Sequence, residues 1–341
     1  MRPLAVLLVT VFGLPVHAGQ ANPGVSAPIF AYFQVGQDED PTDNLRVDQF
    51  EAQLDLLHGE GYRVVPVADI VSAFDSGAAL PDRAVGLTFD DAYRTVQENA
   101  LPMLVKAGMT ATIFVTPRLV DRGGDYMSWD ELRKAVHEGF SIGAKIDLDD
   151  IDDDSSTRTL AAINESMNRI KDQIGVAPTL FSYAEGIAPK PMREIVKSRG
   201  FKAAFALQSG PATAQSDRFL LPRFTMTEAF GNIDRFRIAA SSLPIPISDV
   251  LPADQTVEGQ NPPQIGFTVT DDAIDLEALA CFVEDQGKAP VEVLGNRVEI
   301  RPSSPFDTDD ETRVNCTLPA DGDDAGRWRW LGFDFYVPEP G

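Results

Sequence analysis

Two adjacent carboxylates, Asp90 and Asp91, are the residues of this sequence best placed to do chemistry. They end an apolar run, Ala84-Val85-Gly86-Leu87-Thr88-Phe89, that reads as a short strand covered on both faces of a parallel sheet. In α/β folds, ligands bind at the carboxyl ends of such strands. Side by side, two carboxylates repel unless a metal, a proton or a cation lies between them, so the pair suits acid–base work or metal ligation. The competing role is structural, since Asp is also a favoured helix N-cap.

Regular elements must hold that pair at an open strand end. Residues 28–33 read as a first strand, and 48–59 as a helix with Phe50, Leu54 and Leu57 on one face, Asp48 as its cap and Gly59 and Gly61 as its stop. A second strand follows at 63–67 and a short helix at 69–74. After the Asp-Asp strand come helices at 95–107, 129–138, 156–174 and 190–199, alternating with strands at 111–115, 140–144, 181–183 and 203–207. This alternation implies a parallel β/α sheet or barrel over residues 25–240. The texture then changes. Residues 241–264, rich in Pro, Ser, Asp and Gln, read as a linker. Beyond it, short strands without helices occupy 266–269, 280–283, 291–294, 297–300, 313–316 and 327–337, with Gly295-Asn296 as a two-residue hairpin turn. They predict a small all-β sandwich over 265–338.

The chain of 341 residues has room for two domains, and 43% hydrophobic content excludes disorder. A net charge of −23 argues against nucleic acid and anionic membrane as partners and favours a neutral or cationic ligand. Met1-Arg2, an apolar run from Leu4 to Val16 and the small-residue site Val16-His17-Ala18 read as a secretory signal peptide over residues 1–18, bacterial in character. The expected location is therefore periplasmic or extracellular. No other stretch approaches ~18 apolar residues, so no membrane span is expected. Cys281 and Cys316 are the two cysteines, and in an oxidising compartment they should form a disulfide.

Residues 28–237 resemble the polysaccharide deacetylases with a NodB homology domain. Thr88-Phe89-Asp90-Asp91-Ala92-Tyr93 is similar to that family's Thr-Phe-Asp-Asp-Gly-Tyr motif. Glu98-Asn99-Ala100-Leu101-Pro102-Met103-Leu104, Ala111-Thr112-Ile113-Phe114-Val115, Trp129-Asp130-Glu131-Leu132, Gly139-Phe140-Ser141-Ile142-Gly143 and Leu221-Pro222-Arg223-Phe224 follow in the family's order. The resemblance implies a distorted β/α barrel and metal-assisted removal of acetyl groups from a glycan. In it Asp90 would be the base, Asp91 a metal ligand beside two histidines spaced His-x-x-x-His, and Arg223 the support of Asp90. Arg313-Val314-Asn315-Cys316-Thr317 and Gly326-Arg327-Trp328-Arg329-Trp330 resemble a sandwich appended to some exported members.

The chain departs from the family at the metal. Lys145 and Asp149 stand where the two histidines would be, Tyr32-Phe33 replaces Tyr-His, Ala92 replaces the motif glycine, and Tyr183-Ala184-Glu185-Gly186 replaces Tyr-Pro-Tyr-Gly. Of three histidines, His17 falls in the signal peptide, and His58 and His137 lie late in predicted helices. The expectation is a relative without cofactor that binds a polysaccharide or oligosaccharide and does not hydrolyse it. Lys145 would pair with Asp91, Asp90 or Asp149 would lie close by, and Tyr183, Trp129 and Arg223 would serve the substrate. The alternative is an active N- or O-deacetylase with Mg²⁺ or Ca²⁺ on Asp91, Asp147, Asp149 and the run from Asp150 to Asp154. A third reading makes the sandwich a contact surface for other envelope proteins. Trp328, Trp330, Phe333 and Phe335 could stack on sugars, although alternation at strand spacing favours one face of them packing into a core.

Overall fold

The computed structural model describes residues 25–37, 41–147, 156–308 and 311–338. Residues 1–18, read from sequence as a signal peptide, Asp149 and the run from Asp150 to Asp154 lie outside the described residues. The first domain is built on eight parallel strands: β1 (Ile29–Tyr32), β2 (Arg63–Val64), β3 (Ala84–Asp90), β4 (Thr112–Val115), β5 (Ser141–Lys145), β6 (Leu180–Ser182), β7 (Ala203–Phe205) and β8 (Phe224–Thr225). Their order is β7-β6-β5-β4-β3-β1-β8, with β2 paired to the start of β3. The sheet curls into an incomplete barrel. Helices α1 (Val47–Gly59), α2 (Val67–Ser76), α3 (Leu101–Ala107), α4 (Trp129–His137), α5 (Ser156–Ile174), α6 (Lys190–Ser198) and α7 (Ile233–Ala240) intersperse the strands.

Sequence explains most of these elements. Every residue of β3 is buried, as its unbroken apolar run requires. Phe50, Leu54 and Leu57 of α1 are buried on one face, and the N-cap position belongs to Arg46 rather than Asp48, which instead pairs with Arg46 at 2.9 Å. The helix expected over 95–107 opens with a π-helical stretch, Val96–Ala100, before α3. Pro102 in the first turn of α3 has no N–H to give to the ladder, and the Leu101 N–H bonds instead to the Val96 carbonyl.

The second domain is a sandwich of two sheets. One holds β9 (Leu243–Pro244), β17 (Trp328–Tyr336), β16 (Glu311–Pro319), β12 (Ala280–Val283) and β13 (Gly287–Ala289), in that spatial order. The other runs β10 (Ile247–Leu251), β11 (Ile265–Val269), β15 (Arg297–Ile300) and β14 (Val291–Leu294). The stretch 241–264 is thus not a free linker. It supplies β9 to one sheet and β10 to the other, and its buried Ile245 and Val257 belong to the sandwich core. Pro and Ser content suggested a tether, but Ile245, Ile247 and Val250 carry enough apolar surface to be stitched in.

Along β16 burial alternates strictly. Val314, Cys316 and Leu318 enter the sandwich core, whereas Glu311, Arg313 and Asn315 face the barrel. Trp330 follows them: its Nε1 donates to Ser209 Oγ at 2.9 Å and its ring meets Phe224 edge-on at 5.3 Å. Gly332 lies so close to Ser209 that a Cβ there would run into the Ser209 backbone. Phe333 and Phe335 point the other way, into the sandwich, and Trp328 is exposed at the strand's start. The four aromatics therefore form no common platform.

Cys281 and Cys316 sit directly opposite each other on β12 and β16 and form the disulfide, with Cα atoms 4.0 Å apart. It closes a loop of 35 residues, so the double variant Cys281→Ala/Cys316→Ala is expected to lose about 4 kcal/mol. Denaturant unfolding of the oxidised chain and of the variant measures this. Thiol titration of the denatured, unreduced chain should find no reactive cysteine.

Candidate functional site

Asp90 is the last residue of β3, and the backbone turns sharply after it. Asp91 and Ala92 both take left-handed conformations, with φ of 67° and 51°. Such values cost an L-residue of order 1 kcal/mol each, so the surroundings must impose them. They do: the Asp91 N–H donates to Phe114 O at 2.9 Å, and Met127 N donates to Ala92 O at 2.9 Å. The turn sends the two carboxylates into different surroundings.

Asp90 is 1% exposed and held by Arg223, which is itself fully buried. The guanidinium grips it in a fork, Nη1 to Oδ1 at 2.7 Å and Nη2 to Oδ2 at 3.0 Å. The remaining guanidinium N–H groups go to Ala206 O, Thr88 Oγ1 and Ser182 Oγ, at 3.1, 3.0 and 2.8 Å. All five guanidinium donors are thus engaged. Ser182 Oγ in turn donates to Asp90 Oδ2 at 2.8 Å, and Phe114 and Phe205 lie against the guanidinium. Burial alone would push the Asp90 carboxyl up. The cations Arg223 and Lys145 outweigh it and hold the group below the usual carboxylate range.

Asp91 faces the cleft. Its Oδ1 accepts from Thr116 Oγ1 at 2.7 Å, and its Oδ2 accepts from Lys145 Nζ at 2.5 Å. Lys145 ends β5, and its ammonium also lies 3.6 Å from Asp90 Oδ2. Ser166 of α5 fixes this strand end by donating to the Lys145 carbonyl at 2.9 Å. Burial would lower the lysine's pKa, but Asp91 and Asp90 more than compensate and raise it, so Lys145 is a cation. The structure therefore brings Asp90, Asp91, Lys145 and Arg223 into one buried array.

That donor set does not fit a metal ion. A protonated ammonium cannot ligate, and it occupies the space between the carboxylates that a cation would need. Among the described residues no group of three or more His, Cys, Asp or Glu side chains could hold an ion. Asp147 pairs with Arg118 at 2.6 Å, and His58 and His137 are exposed on the last turns of α1 and α4.

None of the three sequence-expected substrate residues lines the cleft: Arg223 is fully buried with all its donors spent inside the protein, and two others lie elsewhere. Tyr183 is fully buried, packs edge-on against Phe181 and donates its hydroxyl to Phe219 O at 2.9 Å. Trp129 begins α4 just inside the Ser128–Glu131 capping box and is 5% exposed in the barrel core. Neither faces the cleft; both are core residues, because large apolar rings next to a strand end or helix start gain more from burial than from solvent.

The cleft above the array has a volume of about 700 Å³. On the barrel side it is lined by Tyr93 and Tyr126, stacked with centroids 5.1 Å apart, and by Phe230 and Glu185. The sandwich supplies Glu284, Asp285, Glu311 and Arg313 to the same cleft. Burial, with Asp43, Asp91 and Asp147 nearby, pushes Glu185 above its ordinary range against the opposing pull of Lys145. Sequence reasoning missed Thr116, Ser182, the tyrosine pair and every sandwich residue. Only Tyr93, inside the Asp-Asp motif, carried a local signal.

Lys145→Met is expected to cost about 3–5 kcal/mol, because it strands buried carboxylates without their cation. The Asp90 contribution has a pH signature. Its folded pKa is depressed, so the stabilisation is complete above the unfolded carboxyl value near about pH 4 and disappears as pH falls through the lower folded value. Thermal melts of both proteins across that acid range measure both effects.

Residues 77–204, from the end of α2 into β7, match the family model described as Polysaccharide deacetylase. That match ends before the sandwich begins. YxkH of Bacillus subtilis (strain 168) is 22% identical over 199 residues, covering 58% of this chain and 70% of that protein. The poly-beta-1,6-N-acetyl-D-glucosamine N-deacetylase of Staphylococcus aureus (strain NCTC 8325 / PS 47) is 23% identical over 214 residues, covering 58% and 73%. Two solved structures share the barrel fold. Streptococcus pyogenes deacetylase PplD, in complex with acetate, aligns with a TM-score of 0.58 at 19% identity over 63% of this chain and 97% of that one. IcaB from Ammonifex degensii aligns at 0.55 and 23% identity over 64% and 97%. Residues 77–204 are thus similar to the polysaccharide deacetylases in sequence, and the barrel shares the fold of solved members of that family.

Proposed function

We propose that this chain is a non-hydrolysing, glycan-binding member of its family, exported to the periplasm or beyond, which holds a polysaccharide in the cleft between barrel and sandwich. The observation that carries the reading is the Lys145 ammonium 2.5 Å from Asp91 and 3.6 Å from Asp90. Deacetylation in this family's manner needs a cation with an open position that acidifies a water and polarises a carbonyl. A lysine supplies neither. Asp90, gripped by Arg223 and held below the usual carboxylate range, is also a poor base.

Binding needs less. Tyr93, Tyr126 and Phe230 offer faces on which sugar rings can stack. Among the described residues the cleft is lined by seven carboxylates and two cations, Lys145 of the barrel and Arg313 of the sandwich. Such walls disfavour uronates and favour neutral or amine-bearing sugars. The S. aureus relative's name makes poly-β-1,6-N-acetyl-D-glucosamine the first polymer to test. Export rests on the leader-like residues 1–18 and accords with the disulfide.

The expected outcome is saturable binding of β-1,6-linked glucosamine oligomers in calorimetry, with no acetate released from acetylated ones. Tyr126→Ala should weaken binding roughly tenfold. Elemental analysis of the purified chain should find no stoichiometric divalent metal. Stoichiometric metal together with acetate release that vanishes in Asp91→Ala would overturn the reading in favour of a carboxylate-ligated hydrolase.

A further inference from the structure

Strand β16 and its neighbours turn a charged patch toward the barrel. Glu311 and Arg313 lie two residues apart on one face of β16, and Asp334 of β17 is the direct cross-strand partner of Arg313. Glu284, just after β12, flanks Arg313 on the other side. The Arg313 guanidinium donates to Glu284 Oε1 at 3.4 Å and to Glu311 Oε2 at 3.3 Å, and its backbone N–H donates to Glu284 Oε2 at 3.0 Å. Asp334 Oδ2 has no hydrogen-bond partner, and neither has Arg313 Nε. Asp334 is 5% exposed and the Glu311 side chain 13%. Asp334 also lines a second cavity, of about 430 Å³, on the seam between the domains.

One guanidinium thus serves three carboxylates in a largely buried patch. Carboxylates in such surroundings stay ionised only with opposing charge or donors beside them. The surroundings add little of either. Glu185 of the barrel and Asp285 of the sandwich line the same cleft and bring further negative charge. Arg235 of α7 comes within 5.9 Å of the Trp330 ring, but its Nη1 donates to Thr225 O and Phe230 O. Lys145 is engaged by Asp91 and Asp90, and Arg193 on the seam side by Asp217 and Asp254. Protons can supply what the cations do not. Burial, Asp334 and Glu185 push the Glu311 carboxyl up against the pull of Arg313, and Asp334 is pushed up by burial against the same pull.

We propose that this face is a pH-sensitive latch: the sandwich docks on the barrel while Glu311 and Asp334 hold protons, and loss of those protons loosens the docking and widens the cleft. The docking contacts sit on the same face. Trp330 Nε1 donates to Ser209 Oγ at 2.9 Å, and Gly332 lies against the Ser209 backbone. With both protons in place, Glu284 and Arg313 balance each other and the patch is neutral. Without them, uncompensated negative charge faces Glu185 across the cleft. The sign follows from linkage. Carboxyls raised above their unfolded value near about pH 4 give a stabilisation that is complete below that value and lost as pH rises through the folded values. Asp90, whose carboxyl is depressed, acts in the opposite sense and at acid pH. This inference does not depend on what the cleft binds.

Thermal melts of the full chain should lose at least about 4 °C in Tm between about pH 6 and about pH 9. Glu311→Gln and Asp334→Asn remove the titrating groups and should each at least halve that loss. Glu51→Gln, at an exposed carboxylate of α1 outside the cleft, should retain it. In the unsubstituted protein the carboxyl carbon resonances of Glu311 and Asp334 and the indole N–H resonance of Trp330 should move together over the same range, while that of Trp129 in the barrel core stays in place. This keeps the test valid if a substituted chain fails to fold. A flat melting profile, a loss unaltered in both folded variants, a loss abolished by Glu51→Gln, or carboxyl carbons that titrate near about pH 4 with Trp330 unmoved would each overturn the latch.

Discussion

Two neighbouring carboxylates at a buried strand end cannot both stay ionised without positive charge within a few ångströms. In this chain Arg223 and Lys145 supply it, one from each side. Arg223 reaches Asp90 from the segment before β8, and Lys145 reaches Asp91 from the end of β5. Because these cations arrive from different strands, the array also ties β3 to β5, to β6 through Ser182, and to β7 through the loop carbonyl of Ala206. The curl of the sheet thus converges on a set of charges that is balanced within the protein itself. A lysine in this position relieves the repulsion of the paired carboxylates from within the chain.

The same closure explains why the sandwich matters to the cleft. The sheet containing β16 and β17 turns a polar face to the barrel, and Ser209, Asn315 and Trp330 form a hydrogen-bonded knot where the two meet. On one side of that knot lies the Asp91 cleft, with Glu311 and Arg313 in its wall; on the other lies the seam cavity, with Asp334. Arg313 and Asp334 are direct cross-strand partners. Burial pushes Asp334 up to about 7, Arg313 opposing and Glu284 assisting. The two cavities are therefore walled by one short stretch of paired strands, and the sandwich is a structural half of both.

Much of this architecture was legible in the residues. The unbroken apolar strand, the two aspartates, the Leu-Pro-Arg-Phe segment and the lysine after Ile142-Gly143-Ala144 each have a local signature, and together they place the charge array. The cysteine pair and the Gly295-Asn296 hairpin were legible for the same reason. What sequence did not reveal depends on contacts between distant segments. Tyr183 and Trp129 lie beside cleft elements in sequence, yet their rings turn into the core. Glu284, Glu311 and Arg313 reach the cleft only because an entire domain docks across it. The stretch 241–264 has the composition of a tether, and its strands exist because both sheets offer edges to pair with.

The charge balance at the floor also shapes what the cleft can select. Asp90 and Asp91 are each answered by a cation at hydrogen-bond distance, so their fields largely cancel beyond the array. The carboxylates higher in the walls have Arg313 as the lining cation of the sandwich side, already shared between Glu284 and Glu311. The net field at ligand height is therefore set by the walls rather than by the family's motif residues.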